Sequence, residues 1–278
     1  MQTKNTESDA PPVLIEEDGR GVITIRLNRP DRNNAYDDRL VEACLEALDA
    51  AAHRADVRAL VFKGEGRHFQ AGADLSWLAR VSKESAQSNQ RASHSVAELM
   101  RRLNFFPAPT VALVQGACFG GGTGLIASCD VVVAADNAQF SIAETRWGMM
   151  AGIIIPQLND AIGVRQVRRY ALTGERFDAI EAKRIGLVHE VVPLNDLDAT
   201  GDRIIDALLQ NAPDANRLTK QVALEYAWSD VSQRDFERLV EQHSDKRQSA
   251  EAAEGLASFH QKRAAAWYRG PVRAPHSA

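Results

Sequence analysis

The chain has 278 residues, 45% of them hydrophobic and 25% charged, with a net charge of −4. That is ordinary globular composition, enough for one large domain or two smaller ones, and it offers no basic surface that would predict nucleic acid as a partner. No apolar run approaches the roughly 20 residues of a membrane helix, so no membrane partner is expected.

Residues 1–12 are polar, lack the apolar stretch of a secretory signal and read as a disordered tail. Runs 13–17 and 22–27 alternate in character, and Asp18-Gly19 between them marks a hairpin. Asn28-Arg29-Pro30 breaks the second strand. Residues 40–52 carry Leu40, Cys44, Leu45, Leu48 and Ala51 at helical spacing. A strand over 58–63 leads into a glycine-punctuated loop, 64–75, that feeds a helix; 83–103 is a polar helical segment. Two β-branched runs, 110–114 and 131–135, flank Gly120-Gly121-Gly122-Thr123-Gly124. Beyond the second run stands Glu144, followed by an apolar stretch with glycines, 148–156, that reads as a pocket wall. Helical pattern returns over 157–172. Asp178 caps a short helix, 179–185, which Gly186 ends. A short strand occupies 188–192. Residues 194–267 read as helices, with turns at Asn211-Ala212-Pro213 and near Ser229-Asp230, and 269–278 as a tail. Strands and helices alternate to residue 192 and helices alone follow. The class is α/β, with a core over 13–193 and a helical C-terminal region over 194–268.

The three cysteines are odd in number and lack metal spacing, which suits reduced thiols in a cytoplasmic protein. The seven histidines are scattered without a His-x-x-x-His pair, so no metal site is expected.

The glycine run admits two readings. Gly122-Thr123-Gly124-Leu125-Ile126-Ala127 matches the dinucleotide pattern G-x-G-x-x-A, and a strand precedes it. Against this, Gln115 to Gly121 separates the strand from the first glycine, and only about two helical turns fit before the next strand, too few for a crossover helix. No Gly-Lys-Ser/Thr follows, which excludes a P-loop. The alternative is a helix N-terminus at which glycines let free backbone N–H groups approach an anionic ligand. Gln70-Ala71-Gly72-Ala73-Asp74 has the same strand–small residues–helix form, so two loops could each direct one N–H at a thioester oxygen. Small residues also serve tight strand–helix packing, and the residues alone leave both possibilities open. Glu144 is either a carboxylate with apolar walls, able to exchange protons near neutrality, or a surface group paired with Arg146. Arg146 is a candidate for an acidic group on the substrate. His68 and the cysteines read as structural.

Taken in order, these segments make the chain similar to the enoyl-CoA hydratase/isomerase (crotonase) family over residues 13–268. The resemblance rests on Leu27-Asn28-Arg29-Pro30 with Asn34-Ala35, Phe69 to Leu75, Pro109 to Ala112 with Gly116 and Gly120-Gly121-Gly122, Cys129-Asp130, Ala138-Gln139-Phe140, Glu144, Leu172-Thr173-Gly174, Glu181-Ala182, Gly186-Leu187-Val188 and Phe259 with Lys262-Arg263. It implies a spiral of repeated β-β-α units with a helical C-terminal trimerisation region, and trimers that pair into hexamers. It also implies an acyl-CoA thioester substrate, with no cofactor beyond the CoA that is part of it. The backbone N–H groups of Ala73 and Gly121 would form the oxyanion hole. Ala71, Ala73 and Leu75 would border the CoA path, and Arg32 would meet a CoA phosphate. Phe259 and Lys262 would reach a CoA bound by a neighbouring subunit. Ala35, Asp74, Gly120 and Gly124 are substrate-side positions of the same matched segments.

One position departs from the family pattern. Typical hydratases carry a glutamate two residues after the glycine triplet, and here that residue is Gly124. Glu144 is left as the only carboxylate of the usual pair, which is also the pattern of the mitochondrial Δ3,Δ2-enoyl-CoA isomerases. Gly72 to Trp77, Glu144-Thr145-Arg146-Trp147-Gly148 with Pro156, and Gly186 to Val192 nevertheless resemble proteobacterial hydratases of methylglutaconyl-CoA and related branched glutaconyl-CoAs. Hydration of such a substrate is the first expectation, isomerisation through Glu144 alone the second, and a catalytically reduced acyl-CoA-binding subunit the third.

Overall fold

A computed structural model describes residues 10–227 and 231–271. Most of the proposed N-terminal tail, the end of the C-terminal tail and the turn at Ser229-Asp230 lie outside the described residues. The chain opens with the expected hairpin of β1 (Val13–Glu17) and β2 (Val22–Leu27). Its turn is held by Asp18, whose carboxylate accepts from the Arg20 and Val22 N–H groups at 2.9 and 3.1 Å. Helix α1 (Asp38–Ala52) starts where Asp37 accepts from Leu40 N–H at 3.0 Å, and it buries the apolar stripe from Leu40 to Ala51. There follow β3 (Ala59–Gly64), α2 (Leu75–Val81), α3 (Ala86–Asn104), β4 (Thr110–Val114), β5 (Ala117–Phe119), α4 (Gly121–Ala127), β6 (Val131–Ala135) and β7 (Gln139–Ser141). Helix α5 (Ile155–Thr173), β8 (Phe177–Asp178), α6 (Ala179–Ile185) and β9 (Glu190–Val192) complete the core.

Six strands form the main sheet in the order β1-β2-β3-β4-β6-β9, parallel after the first hairpin. Both faces are covered. Phe62, Leu60 and Ala112 face α1 and α3, whereas Val61, Val111, Leu113 and Val133 face α7 (Leu197–Gln210). This explains why β4 reads as a continuous apolar run rather than an alternating one. Helix α7 sits close because Gly201 has no side chain: a Cβ there would meet Leu113 Cδ1 at 2.6 Å.

Sequence periodicity did not show the second sheet, β5-β7-β8. Its strands are two or three residues long, too short for a period to register. With it the repeat becomes visible. Strand β4 leads to β5 and α4, and β6 to β7 and then α5. Strand β3 leads to an isolated bridge, Gln70 against Cys118, and then α2. This is the β-β-α spiral. A helical C-terminal region follows, with α8 (Pro213–Glu225), α9 (Gln233–Arg247) and α10 (Ala250–His260). No helix among the described residues is long and apolar enough to cross a membrane.

Candidate active site

The repeat brings two helix starts, those of α2 and α4, to one cavity of about 360 Å³. Ala71, Gly72, Ala73, Gly120, Gly121 and Glu144 all line it. The first loop is fastened to β5: Gln70 N–H donates to Ala117 O at 3.0 Å, and Phe119 N–H donates to Gln70 O at 2.9 Å. The Gln70 side chain then accepts from Gly72 N–H at 3.1 Å. The second loop turns at Gly120, whose φ of 51° a residue with a side chain adopts only with strain. Its N–H donates to Ser141 O at 2.8 Å. Among the described residues, the N–H groups of Ala73 and Gly121 donate to no acceptor. Two free donors, each at the start of a helix, therefore border one cavity. Both helices span seven residues, so the individual N–H groups count for more than a macrodipole.

Glu144 opens a short 3₁₀ turn after β7. Its Oε1 lies 3.0 Å from where a Cβ on Gly120 would stand, so the second loop's glycine is what admits the carboxylate. Oε2 is buried and has no hydrogen-bond partner. Burial raises the carboxyl above its ordinary pKa. The ion pair with Arg146 that the sequence allowed is not formed. Arg146 instead lies along Gly174, where a Cβ would meet its Nε at 2.9 Å, and its exposed side chain makes no ion pair among the described residues. Arg176 reaches the same cavity, with its guanidinium carbon 5.0 Å from the centre of the Phe119 ring. The cavity thus contains one carboxylate and two unneutralised arginines.

The enoyl-CoA hydratase/isomerase family profile matches residues 17–270. The chain belongs to that family. An enoyl-CoA hydratase from Shewanella pealeana superposes with a TM-score of 0.88 at 34% identity, over 92% of this chain and 96% of the other. The 2,3-dehydroadipyl-CoA hydratase of Escherichia coli is 31% identical over 90% of this chain and 96% of its own. A mitochondrial Delta(3,5)-Delta(2,4)-dienoyl-CoA isomerase from Dictyostelium discoideum is 29% identical over 90% and 88%. The enzyme is of the enoyl-CoA hydratase type, a hydro-lyase family acting on enoyl-CoA thioesters.

Other residues singled out from the sequence lie elsewhere. Leu75 is exposed at the cavity rim. Asp74 caps α2, pairs with Arg29 at 3.4 Å and faces a separate polar cleft shared with Arg32. Ala35 is buried, and its carbonyl accepts from the Arg29 guanidinium. Phe259 is exposed at the end of α10, and neither it nor Lys262 lines the cavity. Gly124 corrects the sequence reading, because it is buried beneath Ile154 instead of bordering the cavity. A Cβ at Gly124 would meet Ile154 Cγ2 at 2.2 Å, so an isoleucine fills the room that a second glutamate would need. Cys44 and Cys118 are fully buried; burial pushes the Cys44 thiol up to about 12, as expected of packing residues. The stretch 148–156 does line the cavity, through Met149, Met150, Ala151, Ile153 and Ile154, whereas sequence reasoning missed Arg176 and Tyr36. Tyr36 follows Asn34-Ala35 directly, and that adjacency was the available signal.

Proposed function

We propose that the enzyme hydrates a glutaconyl-type enoyl-CoA, one whose acyl chain ends in a second carboxylate. The observation that carries this reading is the pair Arg146 and Arg176, exposed into a cavity whose one carboxylate is Glu144. An arginine binds a carboxylate through paired N–H donors, and two of them are out of place beside a purely hydrocarbon chain. The name of the E. coli relative, a 2,3-dehydroadipyl-CoA hydratase, points to the same substrate chemistry. So do the sequence segments shared with the methylglutaconyl-CoA hydratases.

In this mechanism the thioester oxygen accepts from the N–H groups of Ala73 and Gly121, each such donor being worth about 3 kcal/mol of barrier. Glu144 takes a proton from water as the water oxygen bonds to Cβ. The π electrons move into the thioester enolate, and Glu144 returns the proton to Cα. Its raised pKa suits a group that must both take and give a proton. The CoA enters along Ala71 and Leu75, and Phe259 and Lys262 of a neighbouring copy complete its site in a trimer. Hydration of methylglutaconyl-CoA should exceed that of crotonyl-CoA by at least about tenfold in kcat/KM, one charge-assisted contact being worth about 1.5–3 kcal/mol. Arg146→Ala should erase that preference. Equal turnover of the two substrates would overturn the distal-carboxylate assignment, and no hydration of either would overturn the hydratase reading.

A second reading has its own support. Because Ile154 leaves no room for a second carboxylate, Glu144 alone could move a proton between Cα and Cγ of a 3-enoyl-CoA. Deuterium entering these positions from solvent without hydration would favour this isomerisation.

A further inference from the structure

The cavity lacks the second carboxylate, and the structure places a phenol there instead. Tyr36 lines the cavity with Glu144. Its backbone is paired with the first loop: the Tyr36 N–H donates to Gly72 O at 2.9 Å, and its carbonyl accepts from Asp74 N–H at 2.8 Å. Its ring lies against the start of α4. A Cβ on Gly121 would meet Tyr36 Cε1 at 2.5 Å, Cζ at 3.2 Å and Cδ1 at 3.4 Å, so one side of the ring lies against Gly121. Trp77 braces the ring edge-on, with centroids 5.8 Å apart. Backbone and ring are therefore both pinned to the segments that present the two free N–H groups. Burial, and then the charge of Glu144, hold the phenol in its protonated form. A protonated phenol is a hydrogen-bond donor, and Glu144 Oε2 is an acceptor with no partner.

We infer that Tyr36 is a water-positioning residue: its hydroxyl donates to the oxygen of the attacking water while the Glu144 carboxylate accepts that water's proton. The inference rests on the hydratase reading. Tyr36 keeps its own proton throughout. The water O–H bond breaks toward Glu144, the water oxygen bonds to Cβ, and Glu144 delivers the proton to Cα.

Tyr36→Phe preserves the ring contacts with Gly121 and Trp77 and removes only the hydroxyl. Two rates are measured on wild type and variant: hydration of the enoyl-CoA, and solvent-deuterium exchange at Cα of the corresponding saturated acyl-CoA. Exchange needs Glu144 and the N–H pair but no attacking water. Tyr36→Phe should lower hydration kcat about 10²-fold, the range for loss of one preorganised donor, and leave exchange at the wild-type rate. Unchanged hydration overturns the assignment. So does an equal fall in both rates, which would move the hydroxyl to the enolate oxygen. A wild type that exchanges without hydrating fails at the earlier step and refutes the hydratase reading itself.

Discussion

Glu144 shows how one residue's surroundings set its chemistry and its stability together. In the folded chain its carboxyl binds a proton more tightly than the usual glutamate value of 4.5, because burial disfavours the charged form. The unfolded chain binds fewer protons between that value and the raised one, so stability falls as pH rises through this window and is level above it. Glu144→Gln should therefore melt higher than wild type near pH 8, by about 1 kcal/mol for a buried acceptor left unpartnered, and the difference should vanish near pH 4. Differential scanning calorimetry at the two pH values checks the sign. Under the proposed mechanism, in which Glu144 carries the proton, the same variant should lower kcat at least about 10²-fold. Gly124 gives the second prediction at this scale. Its missing side chain is filled by Ile154, so Gly124→Ala should destabilise by about 1–3 kcal/mol through overpacking. Adding Ile154→Ala should cost less than the sum of the two single changes, which a double-mutant cycle of denaturation midpoints would measure.

At the scale of elements, the site depends on segments that are far apart in sequence and tied together by few groups. Asn34 is the clearest of these. It is fully buried with φ of 54°, accepts from Arg29 N–H at 2.8 Å and donates to Glu65 O and His68 O at 2.9 and 2.7 Å. It thereby locks the segment before α1 onto the loop after β3, the two pieces that hold Tyr36 and Ala73. Asn34→Ala strands two partly buried carbonyls, leaves a residue with a side chain at positive φ, and should cost about 2–4 kcal/mol in urea unfolding. Activity should fall further than the folded fraction does, because a small displacement of Ala73 degrades donor geometry. The caps of α6 were readable beforehand for a local reason: Asp178 accepts from Glu181 N–H at 2.8 Å, and Gly186 leaves α6 with φ of 94°. Both depend only on neighbouring residues. Strands β5 and β7 were not readable, because three residues become a strand only when a partner is present.

At the scale of the whole molecule, the C-terminal helices leave much apolar surface uncovered. Helices α8 and α9 bury no residue in the single chain. Phe236, Val240, Leu256 and Phe259 are all more than half exposed. Exposed apolar area on this scale marks an interface, and the family resemblance implies a second and third copy of this chain as its cover. Light scattering should give three times the chain mass or a multiple of that. Phe236→Asp with Val240→Asp should shift the mass toward the monomer and, under the proposed function, lower activity, because Phe259 and Lys262 are there proposed to complete a neighbour's CoA site. A wild-type monomer would contradict this.

The sequence by itself determined the class, the order of the longer strands and helices, the caps of α6, the two glycine loops and the single carboxylate of the usual pair. Each of these is written in local spacing and residue type. Only the tertiary structure decided that the loops face one cavity, that Arg146 turns away from Glu144 to lie on Gly174, and that Arg176 and Tyr36 share the cavity. It also decided what Gly124 means, an absence in sequence that is filled in space by Ile154. Those facts depend on contacts between residues tens of positions apart, and such contacts exist only once the main sheet and the small sheet have folded against each other.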